Sequence, residues 1–151
     1  MPSPDAIQRD ANRVPIQGND AFLVTKARTF TGAAGLGAQG VTTLFTVTGD
    51  VIVRVFATCS VDLAGTNATI ELGIVGNTAA VIAQTVATTI DLGEVWYGTN
   101  PPTVGALPSG LILTNGTDID EKIATADITA GALAYYCLFR PLSAGATITA
   151  A

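Results

Sequence analysis

VTTLFTVTGDVIVRVFATCS, residues 41–60, consists of two β-branched runs divided by Gly49-Asp50. Val, Ile, Thr and Phe pack well on a pleated surface, and the branched ones lose rotamer freedom in a helix. The pattern predicts strands over residues 41–48 and 51–60. In the second run Val51, Val53, Val55 and Ala57 back onto Ile52 and Phe56, with Arg54 the sole charge. That composition predicts a strand buried on both faces, at the centre of a sheet or in an interface.

The same pattern extends outward. Turn signals recur at Gly65-Thr66-Asn67, Gly76-Asn77, Asn100-Pro101-Pro102, Pro108-Ser109-Gly110, Asn115-Gly116, Ala130-Gly131 and Ala144-Gly145. Short runs between closely spaced turns predict an all-β antiparallel sandwich, jelly-roll-like, of about eight strands. The further strands fall at 22–30, 68–75, 79–88, 111–114, 122–128 and 133–140. In 68–75, Ile70, Leu72 and Ile74 alternate with Thr69, Glu71 and Gly73, which predicts one wet face. Residues 133–140 resemble 51–60 in being apolar on both sides, and Pro141 is expected to end that ladder. The Ala content of residues 77–88 admits a short helix, but Val, Ile and Thr favour a strand there.

Residues 1–20 read differently. They hold Pro2, Pro4 and Pro15, end in Gly18-Asn19-Asp20, and carry five charges: Asp5, Arg9, Asp10, Arg13 and Asp20. They predict an extended N-terminal arm preceding a sandwich domain over 21–151. Ile7, Val14 and Ile16, set between Arg9 and Arg13, are more apolar than a solubilising tail requires.

The body is sparsely ionised: 13% of the chain is charged and 48% hydrophobic, against roughly 25% charged in an ordinary domain. Mean hydropathy is +0.46. No apolar run approaches the ~18 residues of a spanning helix, so no membrane partner is expected. The start lacks a basic n-region and an apolar h-region, which predicts a chain made in the cytoplasm without a secretory leader. A net charge of −5 argues against a nucleic-acid partner, because nothing would neutralise a phosphate backbone. The excess apolar surface predicts subunit contacts.

Reactive constellations are few. The chain has no histidine, so the usual nucleophile–His arrangement cannot form. Asp91 and Glu94 could serve as an acid–base pair for glycoside cleavage, but the bland reading of solvated acids in a loop or strand edge is preferred. Gly35-Leu36-Gly37-Ala38-Gln39-Gly40 fits a dinucleotide fingerprint formally, but a β-branched run follows where a helix should open, so a flexible or tightly turned connection between strands is expected. Asp118, Asp120 and Glu121 are expected in a solvated loop, with no metal assigned. Cys59 and Cys137 are expected as buried reduced thiols. No catalytic residue, cofactor or metal ligand is therefore assigned. Trp96 and Tyr97, beside a proline-bearing loop, are candidate contact aromatics, with a core tryptophan as the plainer alternative.

Three stretches, RDANRVPIQGND (9–20), TFTGAAGLGAQGVTTLFTVTGDVIVRVFATCS (29–60) and YYCLFRPLSAG (135–145), resemble small virion accessory proteins of tailed bacteriophages, of the head decoration (cement) and head-fibre class. The resemblance implies a non-enzymatic homotrimer of sandwich subunits on the capsid surface, its arm reaching across the major capsid protein lattice. Within the arm, Arg9 and Arg13 would make charged contacts, and Ile7, Val14, Pro15 and Ile16 apolar ones. The alternative expectation is a receptor- or carbohydrate-binding module of a tail fibre or tip, using Trp96 and Tyr97 as a stacking platform.

Overall fold

The structure, a computed structural model, describes residues 22–97 and 110–151. The predicted arm, with Ile7, Arg9, Arg13, Val14, Pro15 and Ile16, lies outside them. The strands are β1 (Phe22–Thr29), β2 (Gly40–Thr48), β3 (Val51–Ala64), β4 (Thr69–Ile74), β5 (Asn77–Val86), β6 (Val95–Trp96), β7 (Leu111–Leu113), β8 (Ile119–Ala124), β9 (Ala130–Pro141) and β10 (Thr147–Ala150). A 3-10 turn, Ala87–Thr89, follows β5.

One sheet has the order β1-β9-β3, with β6 and β7 both paired to the far edge of β3; the other has the order β10-β2-β8-β4-β5. Every ladder is antiparallel. If β6 and β7 count as one interrupted edge strand, the two sheets have the jelly-roll strand order, with β10 added beside β2. The sandwich expected from the turn spacing is thus the fold.

Period-two alternation places the core between the sheets. Val51, Val53, Val55, Ala57 and Cys59 of β3 are buried, and Leu133, Tyr135, Cys137 and Phe139 of β9 lie beside them. Ile70, Leu72 and Ile119 face them from the second sheet, and a bulge between Thr43 and Phe45 lets Leu44 and Phe45 both turn inward.

Several expectations need correction. β3 is central, but it is buried on one face only: Ile52, Arg54, Phe56 and Thr58 are half-buried on the other. β9 alternates in the same way. Conversely, β4 has no wet face, because Glu71 and Gly73 are buried. β5 lies so close to Gly73 that a Cβ there would sit 2.3 Å from the Asn77 carbonyl oxygen. The strand expected at 122–128 starts earlier, at Ile119, and Thr125 ends it with a positive φ of 68°. β6 and β10 were not expected from the sequence.

Candidate functional site

The two outer faces of the sandwich differ in chemistry. Register places Leu23, Leu138 and Arg54 in one row across β1, β9 and β3, and Thr25, Tyr136 and Phe56 in the next. Ile52 lies beside Arg140 on one side and Ile112 of β7 on the other. The Phe56 and Tyr136 rings stack at 5.1 Å between centroids. Leu23 is 54% exposed and Ile112 64%. Among the described residues this face is mainly apolar, with Thr25, Thr58, Arg54 and Arg140 set among the apolar side chains. Surfaces of that kind mark interaction sites more often than chance.

The opposite face is more polar, although Val41 of β2 is exposed on it. Glu71 of β4 pairs with Lys122 of β8 at 2.9 Å, and Thr78 donates its hydroxyl to Glu71 Oε1 at 2.6 Å. Burial would raise the Glu71 pKa, but the bonds from Thr78 and Lys122 and the lysine charge outweigh it and hold the carboxyl below its usual value. Thr43, Thr46 and Thr48 continue this face along β2.

Between the sheets lies a polar bridge. Arg28 Nη2 meets Glu121 Oε1 at 2.7 Å, both side chains being buried. Tyr135 donates to Glu121 Oε2 at 2.7 Å, and Arg28 Nη1 donates to the Gly35 carbonyl at 2.7 Å. The guanidinium also lies 5.7 Å from the Phe30 ring centroid. Burial, helped by the neighbouring Glu121 charge, raises the Tyr135 pKa well above its ordinary value. With both carboxylate oxygens occupied and no opening to solvent, the bridge joins sheet to sheet; it offers nothing to a substrate.

The residues singled out by sequence fall as follows. Trp96 is fully buried, donates Nε1–H to Thr85 Oγ1 at 2.9 Å and packs edge-on against Tyr135. It therefore cannot form a stacking platform, because β6 turns its side chain into the core. Tyr97 is half-buried. The solvated acidic loop is also overturned: Asp118 accepts the Val47 amide, while Asp120 and Glu121 are buried on β8. Asp91 and Glu94 form a local turn in which Glu94 accepts the Asp91 amide at 3.1 Å. The glycine loop is a tight connection, as expected, and a Cβ at Gly37 would lie 2.1 Å from the Ile128 carbonyl oxygen.

Cys59 and Cys137 are both buried. Cys59 aligns with Leu133 rather than Cys137, an offset of four residues or about 13 Å along the ladder, too far for a disulfide. Burial, with the nearby charges of Asp62, Asp91 and Glu94, pushes the Cys59 thiol pKa up and outweighs a lowering backbone contact at Val61. Among the described residues no cluster of His, Cys, Asp or Glu could hold a metal ion, and no helix is long and apolar enough to cross a membrane.

Sequence reasoning missed the polar bridge and the half-buried apolar side chains that tile the outer face of β1-β9-β3. Residues 52–58 and 132–138 are apolar at nearly every position, so no period in the sequence separates their inner from their outer face. Compared with protein-family models, curated proteins and solved structures, the chain matches none.

Proposed function

We propose that the protein is a non-enzymatic virion structural protein of a tailed bacteriophage: a trimeric capsid decoration or cement protein. It binds the major capsid protein lattice through its N-terminal arm and stabilises the head. The observation that carries this reading is the apolar outer face of β1-β9-β3, built around the Phe56–Tyr136 stack. A jelly roll by itself implies no function, but an exposed apolar face gives identical subunits a reason to associate.

Assembly would be followed by many weak, repeated contacts. Each arm need bind only modestly, because copies seated on one lattice act together. Manufacture in the host cytoplasm and residence on the capsid surface follow from that role. The burial of Trp96 removes the main support for a carbohydrate-stacking module.

The test joins two measurements. Native mass of the full-length protein should be that of a trimer and should fall to a monomer in Phe56→Asp/Tyr136→Asp with its strand content kept. Capsids lacking the protein should bind it saturably, and the Arg9→Glu/Arg13→Glu variant should bind far less. A monomeric wild-type protein without affinity for capsids would refute the proposal.

A further inference from the structure

Alternation along β1 sets Phe22, Val24, Lys26 and Arg28 on the face turned towards the second sheet, where Arg28 meets Glu121. Phe22 and Val24, with Phe139, Ala146 and Ile148 among others, line an apolar groove of about 360 Å³ between edge strands β1 and β10. That volume falls within the range of roughly 300–1,000 Å³ common to small-ligand sites. Phe22 stacks on Phe139 at 5.2 Å yet is 49% exposed, so a strip of core-facing hydrocarbon is open to water here. Phe30 donates its amide to the Gly131 carbonyl, and the unbroken register carries that parity back along β1. Phe22 and Val24 therefore turn their backbone groups to β9, and the wall they form presents side chains alone. Lys26 follows Val24 on the same face, about 7 Å further along the strand, within reach of its four-carbon stem. It is half-buried and has no ion pair among the described residues, whereas Arg28, one place on, is held by Glu121.

We propose that this groove binds a free, unbranched alkyl carboxylate of medium chain length, its chain lying between β1 and β10 and its carboxylate on Lys26 Nζ. The apolar lining selects the chain: an alkyl tail brings no polar group into it, whereas an extended peptide would bring amides that lose their water without gaining partners. Charge selects the head. A carboxylate complements the Lys26 ammonium, an alkyl ammonium would be repelled by it, and an uncharged alcohol would gain no ion pair. The site goes beyond the capsid reading and does not rest on it.

Calorimetric and amide NMR titration of the full-length protein with decanoate, kept below its micelle concentration, tests the assignment. Decanoate should bind saturably at one site and shift the amide signals of Phe22, Val24 and Ile148. It should bind roughly tenfold more tightly than octanoate, the gain from burying two further methylenes. Lys26→Met, which keeps the stem and removes the charge, should weaken decanoate about fivefold and leave decanol unchanged. Phe22→Asp should abolish binding of both, with strand content by circular dichroism kept. Absence of saturable binding would overturn the proposal, as would decanoate affinity indifferent to Lys26→Met, decanol binding the wild type as tightly as decanoate does, or signals that shift on another face.

Discussion

Tyr135 of β9 donates its hydroxyl across the sandwich to Glu121 of β8 at 2.7 Å, on the carboxylate whose other oxygen is held by Arg28. Three strands from two sheets are tied at one point, in a core that is otherwise mostly apolar.

Breaking this bridge from one side leaves an uncompensated buried charge. Glu121→Leu and Arg28→Met should each cost about 3–5 kcal/mol in urea unfolding. The double variant should be more stable than either single one, because it removes both charges together, although the Tyr135 hydroxyl loses its acceptor.

Alkaline stability follows from Tyr135. Its folded pKa is raised, so its contribution is complete below the ordinary tyrosine value and is lost as pH climbs from that value towards the folded one. Ultraviolet titration should show one tyrosine ionising only with unfolding, and Tyr135→Phe should remove that step.

Acid stability follows from Glu71, with the opposite sign. Its folded pKa is lowered, so its contribution is present at neutral pH and disappears as pH falls through the folded value. Urea midpoints measured across mild acid should fall less steeply in Lys122→Met and Thr78→Val than in the wild type.

Thr125 holds a φ of 68°, a left-handed conformation that a β-branched residue adopts only under strain. Asparagine tolerates this region better, so Thr125→Asn should raise stability by about 0.5 kcal/mol in thermal unfolding.

Trp96 fills the core, so Trp96→Ala should cost about 3–5 kcal/mol of stability. Tyr97→Ala, at a half-buried position, should cost less than half as much by the same urea measurement.

The fold was legible because its signals are local. Strands β1 to β5 announce themselves through β-branched runs and glycine turns, and a sandwich is what such a series can build. β6 was missed because two residues, Val95–Trp96, carry no period, and β10 because TITA near the chain end resembles any polar tail. The acidic stretch on β8 misled for another reason. Its carboxylates look solvated until Arg28, 93 residues away in sequence, is brought to Glu121 by the pairing of the sheets. Likewise, the two-sided apolar reading of β3 overlooked that half-buried residues can tile an outer face. Long-range partners, absent from any single window of sequence, decide both cases.

Both native cysteines are enclosed, and the Cys59 thiol is further disfavoured from ionising. Since the thiolate is the reactive form, a cysteine introduced on the surface becomes the sole handle for maleimide conjugation without stripping the natural ones. Dyes, spin labels or heavy-atom clusters can then be attached at a chosen position of an otherwise native chain.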